Sequence, residues 1–388
     1  MNPLLISGFG NSISVDKRKL IIVNKLEGYK VEFYPHQIPY DSVIIDGHTG
    51  SITFEAMRWL IKHDVSLISL NWNGNLLSVT LPKEPATANL KIKQYAAYLD
   101  ANKKRVIAEV IVKEKVKHSI NLLGELSRYY PEVKPILFKE RTVNESILTY
   151  EGNMAIAYWH EIGKIFNKLY PEFRFTDRNG RRHSWSMNAS DEINALLNYG
   201  YAILESEVKK DINALGLDSS IGFLHELKDG RSSLVYDLQE LYRWLVDLSV
   251  IQLLEEKKIK KVDFITTENY NIRLKEKTAK MLVEKIKLNF NLRVPYNDKN
   301  YSYQNVLYEN VRLLANYMLG KANRLTFVIP QMESSRADNI NVRNTISNMS
   351  PEERRKLGIR RNTLWYMKKN IKEGKRIKIY DKVMTKMG

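Results

Sequence analysis

Over the first eighty residues, apolar positions come in short runs separated by turn formers. The segments "LLISGFG", "SISVDKRKLIIVNK", "YKVEFYP" and "SVIIDG" are rich in Val and Ile and bounded by Gly, Asn, Asp and Pro, the pattern of strands. In "SITFEAMRWLIKHD" the apolar residues recur at helical spacing, and "VSLISLN" and "GNLLSVTLP" return to strand. The prediction is a small sheet domain with one helix. The glycines of "GFGNS" lie between strand residues, which reads more often as a turn than as a phosphate loop.

Residues 82–90, "PKEPATANL", carry two prolines and predict a linker. Beyond it the period is helical almost throughout. "ANLKIKQYAAYLDANKKRVIAEVIVKEKVKHSINLLGEL" is one long amphipathic, lysine-studded stretch, and further helices centre on 147–169 and 191–215. Between those two lies a polar loop, "RFTDRNGRRHSWSMNASDE", with a basic cluster at Arg178, Arg181 and Arg182. The cluster is either a solvated loop or, beside a metal site, a grip on DNA phosphate. Leu234, Leu238, Leu241, Leu245 and Leu248 then mark a buried helical face. Asp237 and Glu240, three apart, fall on one side of that helix, beside the leucine stripe.

From Asn323 the pattern changes again. "MESSRADNINVRNTISNMS" has no core periodicity and reads as a tether. "PEERRKLGIRRNTLWYMKKNIKEGKRIKIYDKV" predicts a short helix, a Leu-Gly-Ile turn and a second helix starting near Asn362. This is the grammar of a DNA-binding helix-turn-helix, in which Arg360, Arg361, Lys368, Lys369 and Lys372 would meet DNA. A basic amphipathic helix capping the preceding domain is the alternative. The expected architecture is α+β: a β-rich N-terminal domain over 1–84, a mostly helical catalytic domain over 85–325, and a tether plus helix-turn-helix over 326–388.

Composition narrows the class. The 388 residues are 44% hydrophobic and 27% charged, as in a soluble globular protein. No run approaches the roughly 18 apolar residues of a membrane helix. The opening "MNPLLISGFGNSISVDK" lacks the basic leader of a signal peptide, so the expected location is the cytoplasm, with no membrane partner. The absence of cysteine excludes disulfides, a thiolate nucleophile and a cysteine zinc site. The net charge of +17 favours a polyanionic partner, and residues 351–388 alone carry +9 of it.

A divalent ion that assists phosphoryl transfer takes hard oxygen ligands and tolerates a histidine. His225 precedes the Asp237–Glu240 pair, and Glu151 in "SILTYEGNMAIAYWHEIGKIF" is a third acid beside small residues, Ala155 and Ala157, that admit a close neighbouring helix. Each signal alone is weak. A lone Glu is usually a surface residue, and a D-x-x-E pair is often a solvated helix face.

Four segments in order, "YEGNMAIAYW", "NALLNYGYAIL", "GLDSSIGFLHE" and "SSLVYDLQELYR", resemble the CRISPR-associated adaptation integrase/endonuclease family, over most of residues 1–325. The resemblance implies a Mg2+- or Mn2+-dependent enzyme that inserts double-stranded DNA by attack of a 3′-hydroxyl. It implies metal ligation by Glu151, His225 and Glu240, with Asp237 as a nearby catalytic acid; where many relatives have Asp, this chain has Glu240, which leaves open whether Glu240 or Asp237 is the closer ligand. Asn198 and Tyr199 would pack or orient the site, with Tyr199 a candidate to line the DNA path. A homodimer formed through the sheet domain and a small adaptation partner dimer are also implied. The basic tail departs from the common pattern and is similar to an appendage of the casposase branch, transposases that integrate a mobile element's own ends and would need no such partner. A branched-DNA nuclease that never joins strands is a further alternative.

Overall fold

The structure is a computed structural model; it describes residues 1–25, 28–47, 49–71, 73–85, 87–142, 145–178, 189, 191–267, 272–331 and 346–372. Residues 1–330 form one compact unit and 331–388 a second.

The first unit opens with strands β1 (Pro3–Ile6), β2 (Asn11–Asp16), β3 (Lys19–Asn24), β4 (Tyr29–Phe33), β5 (Ser42–Ile45) and β6 (Gly50–Ile52). Helix α1 (Phe54–Lys62), β7 (Ser66–Leu70) and β8 (Leu76–Thr80) follow. Two four-stranded sheets result, in the orders β1-β5-β7-β8 and β4-β3-β2-β6. The β2–β3 hairpin turns on Lys17 and Arg18, both at positive φ (45° and 70°), the geometry whose twist suits a two-residue hairpin. Arg18 offers its carbonyl to the Trp59 indole at 2.9 Å, which ties the turn to α1. Thr53 caps α1 by accepting the Ala56 amide. Trp59 and Leu60 pack with Ile6, Val43 and Leu67 of one sheet and Ile13, Leu20 and Ile22 of the other. Each such buried side chain stabilises by about 1.5–3 kcal/mol, so one helix holds two sheets in a shared core.

After an irregular stretch through the proline-rich linker come α2 (Ala88–Leu99) and α3 (Ala101–Leu126). Sequence periodicity predicts a single helix here, but Asp100 takes extended geometry and its Oδ1 accepts the Asn102 and Lys103 amides at 3.0 and 3.1 Å. The N-cap bonds restart the helix in a new direction. Next are α4 (Ile147–Leu169) and α5 (Glu192–Leu215), close to the predicted ranges. α5 is buried on nearly every face. A Cβ at Gly200 would stand 2.5 Å from Val246 Cγ1, so glycine is what allows so close an approach.

The leucine stripe of 234–248 spans two helices rather than one: α6 (Ser233–Gln239) and α7 (Arg243–Glu255). Glu240 caps α6, Tyr242 leaves helical geometry (φ −125°, ψ 1°), and the Leu241 carbonyl is taken by the Trp244 indole at 3.1 Å. A short ribbon β9–β10 (Phe264–Thr266, Ile272–Leu274), α8 (Glu276–Phe290), a hairpin β11–β12 (Arg293–Tyr296, Lys299–Ser302) and α9 (Tyr303–Met318) complete the unit. The sheet-then-helix order is the α+β class expected. No helix among the described residues is long and apolar enough to cross a membrane.

In the second unit, α10 (Pro351–Lys356) begins with Pro351 at its first turn and a reciprocal cap between Ser350 and Glu353. Gly358 at φ 70° makes the turn, and α11 (Arg361–Lys372) follows. Ile346, Met349, Ile359, Leu364 and Met367 form a small core of their own. The predicted helix–glycine turn–helix is present.

Candidate metal centre

Three elements meet at the acids. α4 brings Glu151, the α6–α7 junction brings Glu240, and α3 brings Lys115 between them. The Lys115 ammonium pairs with Glu151 Oε1 and lies 2.7 Å from Glu240 Oε2. Arg243, at the start of the next helix, stands 3.3 Å from Glu240 Oε1. Burial pushes the Glu240 carboxyl up, but Arg243, Lys115 and the His225 ring together outweigh it and hold the carboxyl down at about 2. Glu240 is therefore a carboxylate at any physiological pH. Its Oε2 is buried, with the Lys115 ammonium against it.

Asp237 faces elsewhere. It is fully buried; Oδ2 accepts the amides of Phe223 and Leu224, and Oδ1 accepts the His225 amide at 2.9 Å. The same Oδ1 is 2.7 Å from His225 Nδ1. A carboxylate on Nδ1 fixes the ring and directs Nε2 as the nitrogen that could take a ligand, the arrangement that usually supports a metal-bound histidine. Gly222 is what lets the loop come so near, because a Cβ there would meet Asp237 Oδ2 at 2.9 Å.

Behind the acids is a buried polar floor. Asp247 accepts from Tyr158 at 2.7 Å and Tyr201 at 2.5 Å, and burial raises its carboxyl to about 6 despite those bonds. The Arg243 guanidinium lies over the Tyr201 ring at 4.7 Å. Arg178 lies over Tyr201 and Trp159 at 5.2 and 5.5 Å, and donates to Asn194 and to Asn198, the latter at 2.9 Å. Glu151, Glu240, Lys115, Arg243, Asp247 and Tyr201 line an open cleft of about 540 Å3, whereas His225, Asp237 and Arg178 stand outside its lining.

Among the described residues no three His, Asp or Glu side chains stand close enough together to hold a metal ion. The donor types are nevertheless those a hard divalent ion takes: two carboxylates that converge on one cation, and an imidazole held by its Nδ1.

A family described as CRISPR associated protein Cas1 matches residues 4–287. The chain belongs to the Cas1 family. It is 27% identical over 350 residues to the CRISPR-associated endonuclease Cas1 1 of Archaeoglobus fulgidus, covering 84% of this chain and 99% of the relative. It is 38% identical to a solved structure described as a casposase bound to integration product, with a TM-score of 0.79 over 90% of this chain and 99% of that one. A CAS1 protein from Thermotoga maritima shares the fold at 18% identity, with a TM-score of 0.64 over 84% of this chain and 100% of that one. The resemblance carried by four short segments thus holds along most of this Cas1-family chain, with a casposase among its relatives.

The site residues expected from sequence fall into groups. Glu151 and Glu240 share Lys115; His225 is tied to Asp237; Asn198 holds Arg178. Tyr199 is buried and donates to Asp46 at 3.1 Å, joining α5 to the sheet layer rather than lining the cleft. Arg178 is engaged within the protein, while Arg181 and Arg182 lie outside the described residues. In the second unit Arg360 and Arg361 are exposed, Lys369 lies over the Trp365 ring at 5.4 Å, and Lys368 donates to the Met349 carbonyl at 3.2 Å. The Lys372 side chain lies outside the described residues. Sequence reasoning did not single out Lys115, Arg243 or Asp247. Arg243 had a signal, three residues after Glu240; Lys115 had none, being one of five lysines on α3.

Proposed function

We propose that this Cas1-family chain is a divalent-metal-dependent DNA integrase of the casposase type, joining a 3′-hydroxyl DNA end to a target strand. The observation that carries the chemistry is the convergence of Glu151 and Glu240 on one point, with His225 aligned by Asp237. Glu151, Glu240 and His225 Nε2 would hold Mg2+ or Mn2+. When bound, the ion supplies charge stabilisation at the scissile phosphate and acidifies the attacking hydroxyl. The chain does the rest. Asp237 keeps the His225 ring in one tautomer and orientation, and Arg243 offers a fixed cation beside the reacting phosphate, backed by Tyr201. Asp237 is a positioning residue, since its oxygens are consumed by three amides and the ring.

The branch assignment rests on the 38% identity to a casposase and on the helix–turn–helix unit after residue 330. In that unit Arg360, Arg361 and the exposed α11 face would bind duplex DNA, as a helix-turn-helix does. A homodimer through the sheet layer is supported by large apolar side chains left exposed there, Phe9, Phe54 and Leu77. The deciding assay mixes the purified chain, Mn2+, a 3′-hydroxyl donor duplex carrying a label and a target plasmid, with no second protein. Joined donor–target product is expected. Nicking without joining would leave a nuclease, and joining only after addition of a small second protein would return the chain to CRISPR adaptation.

A further inference from the structure

The Lys115 ammonium stands where the two glutamates converge, on Glu151 on one side and Glu240 on the other. That is the point at which a cation bound by both would have to sit. Lys115 is little exposed, and so is Glu240, at 18% and 3% of the side chain. Two carboxylates facing each other in such a wall repel strongly unless a positive charge lies between them. An ammonium and a divalent ion cannot share the gap, because like charges within about 4 Å repel by far more than thermal energy at the dielectric of a protein surface.

We propose that Lys115 is a displaceable internal cation: it holds Glu151 and Glu240 together in the metal-free protein, and yields its place to the metal as DNA enters. This rests on the metal reading above. The side chain suits the role. Its head group is a compact point charge on a flexible four-carbon stem, unlike the rigid guanidinium of Arg243. Its neighbours on α3, Val116 and Ser119, line the open cleft, so the ammonium has room to swing outward. In the cleft the displaced ammonium would find a DNA phosphate. Without DNA it must be expelled into solvent, which weakens metal binding. Metal and DNA therefore bind with positive coupling that runs partly through one lysine, and the coupling acts equally in both directions.

The experiment is a Mn2+ titration of the full chain, read as free Mn2+ by electron paramagnetic resonance, with and without a short DNA duplex. Wild type and the Lys115→Met and Glu240→Gln variants are compared. Lys115→Met keeps the stem and removes the charge. It is expected to bind Mn2+ about tenfold more tightly than wild type without DNA, and to show a smaller gain when DNA is added, within the range usual for coupled sites. Affinity equal to or weaker than wild type would overturn the proposal and leave Lys115 as scaffold. Wild type that binds no Mn2+, or Glu240→Gln that binds it unchanged, would instead remove the metal reading and this proposal with it. Should Lys115→Met not fold without metal, it is purified in Mn2+ and challenged with a chelator. Retention of Mn2+ at chelator levels that strip wild type supports the proposal, and release at the same or lower levels overturns it.

Discussion

Both oxygens of Asp237 are spent on the 223–225 loop and its histidine, whereas Glu240, three residues on, points at Lys115 and Arg243. The two acids should therefore fail differently. Asp237→Ala strands one buried and two partly buried amides, so it is expected to cost about 3 kcal/mol of stability by chemical denaturation and to reduce activity through the loosened His225 ring. Glu151→Gln, on a partly exposed side chain, should abolish strand transfer with the unfolding midpoint nearly unchanged. A metal-binding Glu151 is ruled out if that variant keeps wild-type transfer. Asp247 gives a pH test. Its carboxyl is raised from an ordinary 3.8 to about 6, so the folded protein holds a proton that the unfolded chain releases. The stability this contributes is full below about pH 4 and is lost as pH rises through 6. Asp247→Asn should flatten that decline by about 3 kcal/mol between pH 4 and 7, seen in urea melts against wild type.

Among the elements, the two breaks that periodicity did not show are the ones that build the site. At Asp100 and at Glu240–Tyr242 the apolar spacing runs straight through, because the core-facing residues on each side still need burial. What ends the helices is local bonding: the Asp100 cap in one case, and in the other the Trp244 indole on the Leu241 carbonyl. The second break turns Glu240 away from Asp237 and towards α3. The clasp of α5 against α7 is as specific. Gly200→Ala would force a methyl into Val246 and, at 3.3 Å, into Ile286, so it is expected to destabilise by about 1–3 kcal/mol in thermal or urea unfolding. A neutral result would mean that α7 shifts easily and that the floor under Arg243 is soft.

At the scale of the whole molecule, the second unit is a charge device with its own small core. Residues 351–388 carry +9 of the net +17, and α11 exposes Trp365 and Tyr366 beside Arg361. Ending the chain at Pro330 leaves every proposed metal ligand in place. The truncated protein should still join ends at high DNA concentration, but bind duplex more weakly and with a flatter salt dependence. Each phosphate that the protein neutralises adds about 0.9 to the steepness of log affinity against log salt, so a tail that grips about three to five phosphates changes the slope measurably. An unchanged slope would count against the DNA-binding role. Light scattering at micromolar concentration tests the sheet-layer dimer, for which a strict monomer is the adverse result.

The residues of this chain by themselves determined the order of its parts. Period-two runs give sheets, period-3.6 runs give helices, two prolines mark the passage from strands to helices, and Gly358 between basic segments marks the last turn. Local patterns of this kind survive in sequence because each residue meets its neighbours at fixed spacing. Glu151, His225 and Glu240 became candidates through four segments whose order matches a known family, since no spacing rule joins positions 151, 225 and 240. Only the tertiary structure decided that Lys115 stands between the acids, that Asp237 serves His225, and that Arg178 and Tyr199 are consumed within the protein. Those facts depend on which helix faces cross and how closely. One lysine among five on α3 is chosen by the approach of α4 and the α6–α7 break, and the meeting of distant elements leaves no periodic trace in the chain.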